Sequence, residues 1–291
     1  MDYFCLGYVL SAAILILIFQ QSIQNWSVYF LQHSLISLII FALILLAKKP
    51  ASDYIITYVR ILYPIILMVY AWNSLNKLIP LMYGNYWGTH YMVAADKFIF
   101  GVHPTIWVQQ YYRPWLDETL SIFYLSYYGI ISITLIGLII RRELSDLHRA
   151  ISIVSVTYFT NFLIFIIIPV LGPQMTSALQ ELSHETYSGF FVSDLLKQMQ
   201  LNGGIRGGAF PSSHVSGGLV WTIICFKYFK KIGIFMIPLM AGITVATVYL
   251  GYQHAMDTIT GLLWGIIGYN LTNFLFVRRH ITTKAGCITG C

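Results

Sequence analysis

Eight predominantly apolar runs, with basic clusters in alternate gaps between them, constrain this chain more than any other feature. They lie at about residues 4–19, 29–47, 54–72, 119–140, 150–168, 212–229, 233–250 and 258–277. Each is close to the roughly 20 residues that a helix needs to cross the hydrocarbon core of a bilayer. Composition agrees, since 57% of the residues are hydrophobic and only 10% are charged, against about 25% charged in a soluble domain. No soluble globule hides that much apolar surface. A cytosolic enzyme, a disordered chain and a nucleic-acid binder are therefore excluded, and no nucleic-acid partner is expected. The reading is an all-α polytopic membrane protein with about eight transmembrane helices. The first run does not resemble a cleavable leader, because Asp2 and no Lys or Arg precedes it and no small-x-small site follows.

Charge sets the expected orientation. Lys48 and Lys49, then Arg141, Arg142 and Arg149, then Lys227, Lys230 and Lys231, and finally Arg278, Arg279 and Lys284 fall on one side of the alternation. The other side holds Lys77, Lys97, Arg113, Lys197 and Arg206, spread over long loops. The basic side is expected to be cytoplasmic, which puts both termini in the cytoplasm. Loops 74–118 and 169–211 and the turn 251–257 then face the periplasm, the exterior or an organelle lumen. The chain divides into two N-terminal helices (1–50), a six-helix core (51–277) and a cytoplasmic tail (278–291). The first outer loop is rich in Trp and Tyr, which suits short helices lying at headgroup level. Within the spans, Arg60 is expected to snorkel to the cytoplasmic surface. Asn161, Asn270 and Asn273 are expected to bond between helices. Tyr124, Tyr127 and Tyr128 read first as packing residues, with the lining of a lipid entrance as the alternative.

Residues able to do chemistry gather on the outer side. Gly203-Gly204-Ile205-Arg206-Gly207-Gly208-Ala209-Phe210-Pro211-Ser212-Ser213-His214 is a glycine-rich approach to the sixth run. Amides at a helix N-terminus, glycines that permit close approach, two hydroxyls and an imidazole would suit a phosphate. The same residues also read as a plain helix start, with Pro211 and Ser212 as its cap. A second group, Tyr249-Leu250-Gly251-Tyr252-Gln253-His254-Ala255-Met256-Asp257, joins the last two runs. His254 and Asp257 share a helical face, so the carboxylate could orient the imidazole; Asp257 also reads as an N-cap. The third group, Pro169-Val170-Leu171-Gly172-Pro173-Gln174, ends the fifth run and by itself is a turn.

Together these resemble the type-2 phosphatidic acid phosphatase superfamily. The resemblance rests on Pro211-Ser212-Ser213-His214 followed by the His254/Asp257 turn. Gly208-Ala209-Phe210-Pro211-Ser212-Ser213-His214, the Gly172-Pro173 turn and the segment Asp96–Pro104 resemble its inositol phosphorylceramide synthase-like branch. The resemblance covers residues 90–270 or so. It implies a phosphohistidine intermediate without a metal or other cofactor. A histidine of the last motif attacks phosphorus, an aspartate orients it, and the Pro-Ser-x-His histidine protonates the leaving group. It thus implies catalytic roles for His254, His214 and Asp257, with the phosphate expected against Ser212, Ser213, Gly208 and the residues at the family's site positions here, Gln174 and Gln253, and with Arg206 of the glycine-rich loop as the candidate substitute for the missing arginines. This chain departs from the pattern at several points. Counted from Asp257, the nucleophile position is Gln253, with the histidine displaced by one to His254, and the arginine position is Thr247. The branch's other arginine positions hold Gly251 and Gln174. Two functions compete: a lipid phosphatase or phosphotransferase acting on a lipid phosphate or phospholipid at the outer face, and a catalytically silent relative that binds a lipid or a partner. A transporter fits less well, because there are no repeated broken helices and no chain of ionisable residues through the spans.

Overall fold

A computed structural model of the chain describes the backbone of residues 1–46, 54–176 and 190–288, and side chains as far as Phe276 in the last helix. Lys48, Lys49 and the side chains of Arg278, Arg279 and Lys284 lie outside the described residues, as do residues 177–189 of the second outer loop. Among the described residues the fold is all α, with eleven α-helices and no strand: α1 (Asp2–Ile18), α2 (Trp26–Leu46), α3 (Tyr54–Leu78), α4 (Gly88–Phe100), α5 (Pro104–Val108), α6 (Pro114–Arg141), α7 (Leu144–Ile167), α8 (Phe191–Gly203), α9 (Ser213–Tyr228), α10 (Lys230–Tyr249) and α11 (Ala255–Ile288).

Six of them are long and apolar enough to cross a membrane: α2, α3, α6, α7, α10 and α11 as far as Phe276. The first and sixth apolar runs are also helical, but α1 has 17 residues and α9 has 16. For α9 the packing supplies the reason. It contacts α6, α7, α10 and α11 and buries Ser213, Ser216, Gly217, Gly218 and Thr222 along with its apolar residues. A helix enclosed by protein need not match lipid in length or polarity. Its polar groups only need partners: Ser216 Oγ accepts from Asn161 Nδ2 of α7 at 2.7 Å, and Thr222 Oγ1 donates to the Gly218 carbonyl at 2.8 Å. Opposite, α11 presents Gly261, Gly265 and Gly268 where a side chain would meet Ser212, Ser216 and Thr157 respectively. Small residues at helical spacing allow this close backbone approach.

At one end of the bundle Arg141 pairs with Asp146 at 3.2 Å, and Arg149 Nε donates to Asn273 Oδ1 at 2.7 Å. Arg60 is not free at the surface, because its guanidinium pairs with Asp2 of α1. Asn161 and Asn273 do bond between helices, whereas Asn270 bonds its own helix at the Ile266 carbonyl. The opposite end carries α4, α5 and α8, so the segment 74–118 does contain short helices. Glu118, near the start of α6, accepts from the main-chain amides of Phe190, Val192 and Ser193 at 2.8–3.0 Å. These three charge-assisted bonds satisfy donors at the start of α8 and lay that helix across the bundle end, where Gln200 Nε2 donates to Tyr124 Oη at 3.1 Å.

Candidate functional site

The site forms where the three chemistry-bearing segments meet. Val170 and Gly208 pair as an isolated bridge, with Val170 N donating to Gly207 O at 2.9 Å and Ala209 N to Val170 O at 3.0 Å. Gln174 N donates to Gly251 O at 2.9 Å, tying the Gly-Pro turn to the turn before α11. Gly251 sits at φ +77°, a conformation available to glycine at little cost. Ser212 is the N-cap of α9, with Oγ accepting from Val215 N at 3.4 Å, and its own amide donates to the Asp257 carbonyl at 2.9 Å. Thus the caps of α9 and α11 lock to each other. The cap reading describes Ser212, whereas Asp257 stands inside the first turn of α11 and serves that helix start by accepting from the His254 main-chain amide.

Between these turns lies a small polar cavity lined by His214, Gln253, Gln174, Tyr252, Gly208 and Gln200, among others. The backbone-rich Gly172 and Ala209 complete its wall. Gln253 Oε1 is buried without a hydrogen-bond partner among the described residues, an arrangement that costs about 1–3 kcal/mol unless something polar enters. His214 is half-buried under the rings of Tyr127, Tyr124 and Trp72, whose centroids lie 4.8, 5.0 and 6.2 Å from its own. It also forms the end of a second, much larger cavity of about 610 Å³. That cavity runs between α3, α6, α7, α8 and α9, and is walled by Met68, Ile131, Val154, Phe162, Tyr127 and Tyr128 with other largely apolar groups. Ser213 lines it as well. Two of the three tyrosines that read as packing residues therefore face a groove. His214, Trp72 and Gln200 are common to both cavities, so a polar chamber adjoins an apolar trench at the Pro-Ser-x-His histidine.

The other singled-out residues stand elsewhere. His254 is fully buried, and its ring points away from the chamber. Its Nε2 lies 3.1 Å from the Leu171 carbonyl, and Nδ1 is 3.8 Å from Asp96 Oδ2. Burial, then the neighbouring His103, pushes its pKa down to about 4, with the Leu171 carbonyl opposing. Asp257 does not reach the His254 ring; its Oδ2 accepts from the His254 main-chain amide at 2.8 Å. Arg206 is exposed, with its guanidinium 6.0 Å from the centre of the Tyr86 ring, and lines neither cavity. Ser212 is buried in its capping role. The structure therefore brings His214, Gln253, Gln174 and Gly208 together at the chamber, and keeps His254, Asp257 and Arg206 out of it.

Sequence reasoning missed Asp96 and His103 as site residues, although it singled out the segment that holds them. Asp96 accepts from the Ala255 and Met256 amides at 3.1 and 2.9 Å, capping α11 from across the fold. Burial raises the Asp96 pKa, against those two amide bonds, and burial lowers that of His103. Their legible signal was an acid and an imidazole seven residues apart on the long loop 74–118 of a membrane protein.

Neither a curated protein nor a solved structure matches this chain. One protein family does, over residues 90–271, a stretch that takes in most of α4, the glycine-rich approach to His214 and both halves of the turn before α11. By that match over more than half its length, the chain belongs to the PAP2 superfamily.

Proposed function

We propose that this protein is a membrane-embedded phosphoric ester hydrolase acting on a lipid phosphate, with His214 as the imidazole that meets the phosphate. Superfamily membership supports phosphatase-type activity on phosphate esters. The observation that carries the lipid is the junction at His214 of a polar chamber and an apolar cavity of about 610 Å³. That volume falls within the roughly 300–1,000 Å³ of ligand pockets, and its apolar walls suit acyl or prenyl chains. In this reading the phosphate enters the chamber, where α9 begins and its helix dipole favours an anion. The side-chain amides of Gln174 and Gln253 donate to the phosphate, that of Gln253 needing only a turn of its terminal group to present NH₂. His214 exchanges a proton with the ester oxygen. The chamber faces the non-cytoplasmic side if the basic end of the bundle is cytoplasmic. Transfer of the phosphoryl or head group to a second lipid, as the inositol phosphorylceramide synthase resemblance suggests, uses the same chamber with an alcohol in place of water. A phosphohistidine on His254 would require its ring to leave the Leu171 carbonyl and swing past Gln253.

One observation favours a second reading, a catalytically silent lipid-binding relative: the side chain facing His214 across the chamber is Gln253, which cannot act as a nucleophile. Phosphate release by detergent-purified protein from phosphatidic acid, a prenyl diphosphate and a phosphosphingolipid separates the two. Hydrolysis predicts release that His214→Ala abolishes. No release from any of the three, with lipid phosphates still raising the melting temperature, would overturn it in favour of the silent reading.

A further inference from the structure

Behind the turn that carries Gln253, three side chains converge that the phosphate reading leaves without a task. One ligand atom each from Asp96, His103 and His254 can be chosen so that all lie within 4.8 Å of one another. Asp96 and His254 are fully buried, the two imidazoles sit with centroids 5.3 Å apart, and His103 is half-buried, leaving a way in from the outer surface. We propose that these residues form a binding site for a divalent transition-metal ion of the zinc class, separate from the phosphate chamber.

Four observations carry this. First, His254 Nδ1 is buried with no hydrogen-bond partner among the described residues, and so is His103 Nδ1. Leaving two buried imidazole nitrogens unsatisfied is costly, and a shared cation resolves both. Second, the outer arrangement that ligating histidines use already exists. His254 Nε2 faces the Leu171 carbonyl at 3.1 Å, so the proton belongs there and Nδ1 keeps its lone pair for the cluster. A carbonyl on the far nitrogen is the usual partner of a metal-bound imidazole. Third, Asp96 is held in place by the Ala255 and Met256 amides, which fix its carboxylate beside His254 Nδ1 at 3.8 Å. Fourth, the donor set selects the ion. Two imidazoles and one carboxylate suit zinc and its neighbours. Calcium and magnesium need six or more oxygens, and no thiolate is present to favour softer metals.

Ligand atoms around a tetrahedral ion with bonds of about 2.0–2.2 Å stand roughly 3.3–3.5 Å apart. The 3.8 Å separation of His254 Nδ1 and Asp96 Oδ2 asks for a small side-chain rotation, and closing the trio from separations of up to 4.8 Å falls to the half-buried His103 side chain. The fourth position falls to water. Such an ion would clamp the α4–α5 segment to the start of α11 and hold the turn of Gln253 from behind. Its role is positioning, and it stands whether or not the chamber hydrolyses anything.

The test uses the full-length protein in detergent, stripped with chelator and titrated with Zn²⁺, with Co²⁺ as the spectroscopic probe. The expected result is one equivalent of Zn²⁺ per chain by elemental analysis, tetrahedral Co²⁺ absorption in the visible, and a melting temperature that rises on adding metal. His103→Ala should lose all three while melting where chelated wild-type protein melts. Because His103 makes no hydrogen bond to another described residue through Nδ1, this variant is expected to fold; His254→Gln is the second variant. Absence of stoichiometric metal and of the cobalt spectrum in wild-type protein overturns the proposal. So does binding that persists unchanged in both variants, which would place the metal elsewhere.

Discussion

The contact between α9 and α11 allows one glycine to be tested against another. A Cβ at Gly261 would stand 2.8 Å from the Ser212 carbonyl oxygen, 3.0 Å from Ser212 Cβ and 3.3 Å from Ser212 N, whereas one at Gly129 in α6 would meet nothing within 4 Å. Both glycines are inside helices, so alanine improves the intrinsic helix propensity of each by about 0.5–1 kcal/mol. At Gly129 nothing opposes that gain, and Gly129→Ala is expected to stabilise by about this amount. At Gly261 the Ser212 carbonyl must retreat from 2.8 Å to the 3.4 Å where ordinary contact begins, a parting of about 0.6 Å. Its neighbours are backbone held by the Ser212 N to Asp257 O bond at 2.9 Å, so no flexible side chain can absorb the shift. Overpacking of this kind costs about 1–3 kcal/mol, and Gly261→Ala should be a net loss of about 0.5–2 kcal/mol after the propensity gain. The same parting moves the first turn of α9, and His214 with it, relative to Gln253. If a 1 Å misplacement of a catalytic group costs about 100-fold, roughly half of that should cost about tenfold in lipid-phosphate turnover. Thermal unfolding in detergent with a phosphate-release assay reads both. A Gly261→Ala protein that melts at or above Gly129→Ala and turns over at the wild-type rate would refute the claim that the paired caps set the site.

Other consequences follow from named contacts. Gln253→His puts an imidazole into the chamber opposite His214, and phosphate release should rise by on the order of 100-fold; an unchanged rate would show that the chamber lacks more than a nucleophile. Asp96→Ala strips the acceptor from the Ala255 and Met256 amides and should cost about 1–2 kcal/mol of stability by the standard of lost helix caps, measured by thermal unfolding, with Asp96→Asn recovering part of it. Ile131→Trp fills the apolar groove that Ile131 lines, so KM should rise severalfold for long-chain lipid phosphates and hold for a short-chain soluble analogue. Equal effects on both would remove the groove from the substrate path.

How much of this was legible beforehand depends on what each residue answers to. The long apolar runs answer to lipid, and their helices lie where the periodicity of length and hydropathy put them, because a backbone in a bilayer has to satisfy its hydrogen bonds internally. The exceptions are informative. The sixth run was readable as one more span, yet α9 is the enclosed centre of the bundle, and its serines and glycines answer to α7 and α11 in place of lipid. Arg60 is legible as an expensive charge in a span, but its partner Asp2 lies 58 residues away in sequence, and only packing could pair them. At the site, Pro211, Ser212 and Asp257 could be read as caps or as chemistry; Ser212 Oγ does accept from the Val215 amide as an N-cap, and Asp257, in the first turn of α11, accepts from the His254 amide.

The one-residue offset between Gln253 and His254 shows where sequence stops being sufficient. In the bend before α11 these two neighbouring side chains face different compartments, so a shift of one position exchanges one for the other. Gln253 faces the chamber, and His254 faces Leu171, Asp96 and His103. A histidine one position out of register is for that reason in the other compartment. The irregular turn does not rescue it, because the turn is fixed at both ends: Gln253 N donates to the Thr247 carbonyl at 3.0 Å, and His254 N to Asp257 Oδ2 at 2.8 Å. Moving His254 into the chamber breaks the second of these bonds, the Leu171 contact and the approach to Asp96 together. The net worth of one such bond is about 1 kcal/mol, and more where a carboxylate accepts, so an excursion would leave His254 in the chamber for a few per cent of the time or less. Whatever turnover this chain has should therefore depend far more on His214 than on His254. A His254→Ala protein that keeps activity while His214→Ala loses it would bear that out, and equal loss in both, with melting unchanged, would return the displaced histidine to the reaction.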